Sequence, residues 1–87
     1  MFDREEIKDL FSLILTLESQ DDCELFFEDL CTAKELEQMA QRVKAARLLM
    51  DGKTYNQVMQ ECEISSATLS RVSRCVQYGK GYKTFIK

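Results

Sequence analysis

Eighty-seven residues, 45% hydrophobic and 31% charged, make one domain's length of chain; this composition excludes a disordered tract, and there is no apolar run of the roughly twenty residues that a membrane span needs. Proline is absent and there are only three glycines, which favours helices over a turn-rich β fold. The net charge of −3 argues at first sight against a polyanionic partner.

The first element expected is a helix through Ile7, Leu10, Phe11, Ile14 and Leu17, with Leu13 and Leu15 in addition. A helix this apolar on more than one side needs more than one packing surface. In so short a chain a second subunit is the natural source. Glu18 to Asp22 is a polar break, where Asp21 can cap a second helix, with Glu24 at its third position. That helix, Asp22 to Leu30, is expected to bury Leu25, Phe26 and Leu30. Thr32-Ala33-Lys34-Glu35 reads as a capping box for the longest helix, which runs to about Met50. Its inner face is expected along Leu36, Met39, Ala40, Val43, Ala46 and Met50, with Arg42, Lys44 and Arg47 off the stripe. Gly52 stands where a left-handed C-terminal cap belongs.

Thr54-Tyr55-Asn56-Gln57 is a second capping box, opening a helix of two turns to Cys62 with Val58, Met59 and Cys62 inward. Ser65 caps the last clear helix, which buries Leu69, Val72 and Val76 and ends at Gly79 and Gly81. The tail from Tyr82 to Lys87 reads ambiguously. Two caps eleven residues apart, with apolar residues at the inward positions, make residues 54–78 a helix-turn-helix. Its turn commonly carries glycine where Glu63 stands, because φ is positive there. Glutamate at positive φ costs on the order of 1 kcal/mol, so strain or a differently shaped turn is expected.

The outer helix carries the chemistry. A major groove roughly 12 Å wide and about 8.5 Å deep admits a helix whose leading residues are small or polar. Ser66, Ala67 and Ser70 meet that need at the base edges; Thr68, Arg71 and Arg74 can reach phosphates. Ser65 starts this helix, and Thr54 and Asn56 at the preceding one can hold another phosphate. The charge distribution agrees. Residues 1–63 hold seven basic and fifteen acidic side chains, a local charge of −8, whereas residues 64–87 hold Arg71, Arg74, Lys80, Lys83 and Lys87 and no acid, a local charge of +5. The local field, not the total, steers a polyanion.

The remaining residues exclude other chemistry. There is no histidine, and Cys23, Cys31, Cys62 and Cys75 form no Cys-x-x-Cys pair, so no metal site is expected. The N-terminus lacks the basic and apolar regions of a secretory leader, so a cytoplasmic protein with no membrane partner is expected. In that reducing compartment the cysteines are expected as small buried apolar side chains rather than disulfides. No glycine-rich phosphate loop or acid pair completes a catalytic constellation, so no catalytic residue is assigned. The competing reading is a helical protein–protein interaction module, which the acidic N-terminal portion and small size suit.

These residues together resemble the Trp-repressor superfamily, more closely its YerC/YecD branch. The resemblance covers most of the chain. It runs through Phe27-Glu28-Asp29-Leu30-Cys31-Thr32, Glu35-Leu36, Gln41-Arg42-Val43, Ala46, Leu48-Leu49, Gly52-Lys53-Thr54-Tyr55, Ile64-Ser65-Ser66-Ala67-Thr68, Ser70-Arg71-Val72 and Tyr78-Gly79-Lys80-Gly81-Tyr82. It implies an all-α Trp-repressor-like helical bundle over residues 1–87, an intertwined homodimer built by residues 1–50, and regulation of transcription through a double-stranded DNA operator. It also implies an effector pocket. Tryptophan in the Trp repressor lies between two arginines, matched here by Arg42 and Arg71, and Thr32 matches a residue that helps hold the carboxylate. Val72 stands where glycine admits the indole, and Cys75 where a serine assists the amino group. A branched side chain there crowds a flat bicyclic ring, so the reading is a smaller anionic effector, or none, rather than tryptophan. The alternative role for Arg42 and Arg71 is phosphate contact and pairing with acids.

Overall fold

A computed structural model describes residues 4–86, in which six helices and no strands occur. They are α1 (Arg4–Ile14), α2 (Gln20–Leu30), α3 (Ala33–Met50), α4 (Tyr55–Glu61), α5 (Ser66–Tyr78) and α6 (Gly81–Phe85). The all-α expectation therefore holds. The chain divides into two compact units, 1–33 and 34–87.

In the N-terminal unit, α1 ends in a tightened turn, where Thr16 and Leu17 donate to the carbonyls of Leu13 and Ile14. The α2 start differs from expectation. Ser19, not Asp21, is the N-cap: its Oγ accepts from the Asp22 N–H at 3.0 Å, while Asp22 Oδ2 accepts from the Glu18 N–H at 3.0 Å. The Ser19–Asp22 pair satisfies the Glu18 and Asp22 N–H groups and adds Gln20 and Asp21 to the helix. Phe26 and Phe27 meet edge to face at 5.6 Å. No residue of α1 or α2 is fully buried. Leu25, expected inside, is 69% exposed, and Leu30, Phe11, Leu13 and Leu15 are exposed too. Two eleven-residue helices have too little surface to cover one another's apolar side chains.

The C-terminal unit has a small complete core. Ala45 and Ala46 of α3, Val58 of α4, Cys62, and Leu69 and Val72 of α5 are buried together, with Leu48, Leu49, Ile64, Val76, Tyr82 and Ile86 packed around them. The adjacent alanines project almost nothing, and both are fully buried in this core. This places the inner face of α3 elsewhere than expected. Of the predicted stripe only Ala46 is buried; Leu36, Ala40, Val43 and Met50 are exposed and Met39 is half-buried. The core forms on the side of α3 that carries Ala45 and Ala46, with Leu48 and Leu49 beside them, and leaves Leu36, Val43 and Met50 outside. Among the cysteines only Cys62 is buried, and all four are free thiols.

The end of α3 follows its glycine. Gly52 has φ +91°, and the N–H groups of Gly52 and Lys53 donate to the carbonyls of Leu49 and Leu48, both at 3.0 Å. This is the paired closure of a left-handed cap.

Leu69 is fully buried at the centre of this core. Leu69→Ala is expected to cost about 3 kcal/mol in urea unfolding, while Ser70→Ala on the exposed side of the same helix stays within about 0.5 kcal/mol.

Candidate nucleic-acid interface

Local hydrogen bonds define both helices of the motif. Thr54 Oγ1 accepts from the Gln57 N–H at 3.2 Å, and Gln57 Oε1 accepts from the Thr54 N–H at 2.9 Å, completing the expected capping box. After the seven residues of α4, Cys62 leaves the helix in extended conformation. Ser65 then caps α5, its Oγ accepting from the Thr68 N–H at 3.1 Å and donating to Thr68 Oγ1 at 3.0 Å.

The turn between them does not have the shape expected of a glycine turn. Among the described residues Gly52 alone has a positive φ, so Glu63 carries no left-handed strain. Two α3 side chains hold the turn instead. Gln41 Oε1 accepts from the Glu63 N–H at 3.2 Å, and Lys44 Nζ donates to the Glu61 carbonyl at 2.9 Å.

Successive residues of α5 lie 100° apart, so Ser66, Ala67, Ser70, Arg71 and Arg74 share an arc about 140° wide. All five are exposed, whereas Leu69 and Val72 on the opposite side, and Ser73 at the edge of the arc, are buried. The leading part of the arc is small and hydroxylated and its flank is cationic. Asn56 and Thr54 are exposed at the start of α4, although the Thr54 hydroxyl is engaged in the cap. Ser65 is exposed with its hydroxyl likewise committed; Thr68 is half-buried and faces sideways rather than outward. Met59, expected inward, is 40% exposed, because Val58 and Cys62 already fill the contact with α5.

At the edge of the arc lies an open groove of about 670 Å³. Arg42, Arg71, Val72 and Cys75 of the expected effector set line it, together with Thr68. Thr32 belongs to the N-terminal unit. Neither guanidinium has an ion-pair or hydrogen-bond partner among the described residues, so the acid pairing considered for them is not formed. Val72 is buried, filling the floor with a branched side chain. The sequence reading missed the far wall, which is Gly79, Gly81, Tyr82 and Phe85. Its signal was the apolar spacing Tyr82, Phe85, Ile86 after two glycines, which forms α6 because Tyr82 and Ile86 dock on the core. Lys83 Nζ donates to the Gln77 carbonyl at 2.8 Å, fastening α6 to the end of α5.

The profile of the family described as Trp repressor protein matches residues 5–87. The chain belongs to the Trp repressor family. The uncharacterized protein YerC of Bacillus subtilis (strain 168) is 46% identical over 74 residues, which are 85% of this chain and 71% of YerC. The crystal structure of a "putative Trp repressor" from Staphylococcus aureus superposes with a TM-score of 0.90 at 40% identity, covering 94% of this chain and 83% of that one. A TrpR-like protein from Eubacterium eligens ATCC 27750 gives a TM-score of 0.86 at 38% identity, covering 91% and 82%. Membership of the Trp repressor family points to a helix-turn-helix regulator, in agreement with the α4–α5 geometry. No helix among the described residues is long and apolar enough to cross a membrane.

In this Trp repressor family chain the groove depends on Gly79. A Cβ there would lie 2.7 Å from the Cys75 carbonyl oxygen, a backbone atom that cannot swing away. Gly79→Ala is therefore expected to lower stability by about 1–3 kcal/mol in thermal or urea unfolding and to shift the NMR signals of Tyr82 as α6 is pushed off.

Proposed function

We propose that the protein is a dimeric, sequence-specific regulator of transcription, most simply a repressor, which inserts α5 into the major groove of an operator. The observation that carries this reading is the exposed arc of α5. Ser66, Ala67 and Ser70 stand clear of other side chains, and Arg71 and Arg74 flank them on a segment with no acid. Alanine can meet a thymine methyl and serine can exchange hydrogen bonds with base edges. The arginines, with Asn56 and the start of α4, neutralise phosphates and set register. Two copies related by a two-fold axis would read half-sites one helical turn apart. The family's regulatory character supports a non-enzymatic role.

The dimer part of the reading rests on unburied apolar side chains. Phe11, Leu13, Leu15, Leu25 and Leu30 in the N-terminal unit, and Leu36, Val43 and Met50 on α3, are exposed. A second copy that offers the same side chains would cover them through an isologous interface. The groove between Arg42 and Arg71 suits a small anionic effector. With Val72 in its floor and Cys75 beside it, an indole is poorly accommodated, so tryptophan is not the effector we assign.

Duplex selection from a random pool, followed by anisotropy titration across salt, tests the DNA reading. Affinity for the selected duplex is expected to fall steeply with salt; Arg74→Ala should weaken all duplexes and reduce the logarithmic salt slope by about 1. Ser70→Ala should change base preference at one position per half-site. Binding that ignores salt and sequence would favour the protein-interaction reading instead. Light scattering tests the assembly: the wild type is expected as a dimer, and Leu25→Asp as a dissociated, destabilised chain. A well-folded wild-type monomer would overturn the dimer.

A further inference from the structure

The turn of this helix-turn-helix is fixed from outside. In the extended Cys62–Ser65 segment no residue takes the left-handed conformation that would set the chain reversal locally. The reversal is instead bracketed by α3. Lys44 Nζ holds the last carbonyl of α4, at Glu61, and Gln41 Oε1 holds the Glu63 N–H two residues on. Gln41 and Lys44 are three residues apart, hence on one face of α3. Between the two bonds Cys62 is buried against Ala45 and Ala46 of the same helix. The lysine bond is charge-assisted and sits at the negative end of α4. Neither side chain is buried, so neither contributes much to the core.

We infer that Gln41 and Lys44 are positioning residues that set the angle between α4 and α5, and through it the operator specificity of the protein. This rests on the DNA-binding reading above. A recognition helix that tilts by a few degrees still meets phosphates through flexible arginines, but its serines no longer meet base edges. The clamp therefore governs discrimination between duplexes more than affinity for DNA in general.

The test uses the full chain as wild type, Gln41→Ala, Lys44→Ala, Lys44→Arg and Gln41→Glu. Affinity is measured for the tightest selected duplex and for a random duplex of equal length. Residual dipolar couplings report the α4–α5 angle in the DNA-free protein. Both alanine variants are expected to keep the wild-type melting temperature within a few degrees, to lose about tenfold in the selected-to-random ratio, and to reorient α5 relative to α4. Lys44→Arg and Gln41→Glu, which keep the donor and the acceptor, should restore both readouts. Because Gln41 is uncharged, Gln41→Ala removes no ion pair with phosphate, and its logarithmic salt slope should match that of the wild type. An unchanged ratio with unchanged couplings overturns the clamp, as does an equal loss for both duplexes. If the wild type selects no duplex, the DNA reading fails, and the couplings alone decide the clamp: reorientation upholds it and an unaltered angle refutes it.

Discussion

Everything at the reading head depends on the packing of Leu69 and Val72 against Ala45, Ala46 and Val58. A helix is a cylinder, so fixing which side it buries also fixes which side it offers. Once those two α5 side chains enter the core, Ser66, Ala67, Ser70, Arg71 and Arg74 must point away from it. The alanine pair supplies the fully buried α3 part of that core.

The same rotation places two residues on a boundary. Thr68 and Cys75 lie between the buried and exposed arcs, and both line the groove with Arg71. Arg71 therefore takes part in the exposed arc and in the groove wall at once. In the proposed function, an anion held in the groove and a phosphate on the operator would compete for, or share, one guanidinium. That is an electrostatic link between effector and DNA that requires no long-range pathway.

The N-terminal unit has the opposite character. Ser19 caps α2, yet no residue of α1 or α2 is buried, and Phe11, Leu13, Leu15, Leu25 and Leu30 of this unit are exposed. Capping makes a helix, but it does not provide something to pack against. The C-terminal unit has a buried core of its own, but both units keep exposed apolar side chains, on α1, α2 and α3 among others, and these are the physical basis for the proposed dimer interface.

Most helix boundaries were legible because local hydrogen bonds set them. The Thr54–Gln57 box, the Ser65 cap and the positive φ of Gly52 involve residues within a few positions of one another. Where two local pairings competed, as with Ser19–Asp22 and Asp21–Glu24, periodicity could not choose between them. The predicted reading arc also followed from local information, since the spacing of Leu69 and Val72 defines its reverse. The inner face of α3, the exposure of Met59, the relaxed turn at Glu63 and the docking of α6 were decided by tertiary structure. Each depends on which distant side chain fills the space first: Ala45 beside Ala46, Val58 with Cys62, Gln41 on the Glu63 N–H, Tyr82 on the core. A sequence states the propensity of each segment; only the fold states what competes for the same volume.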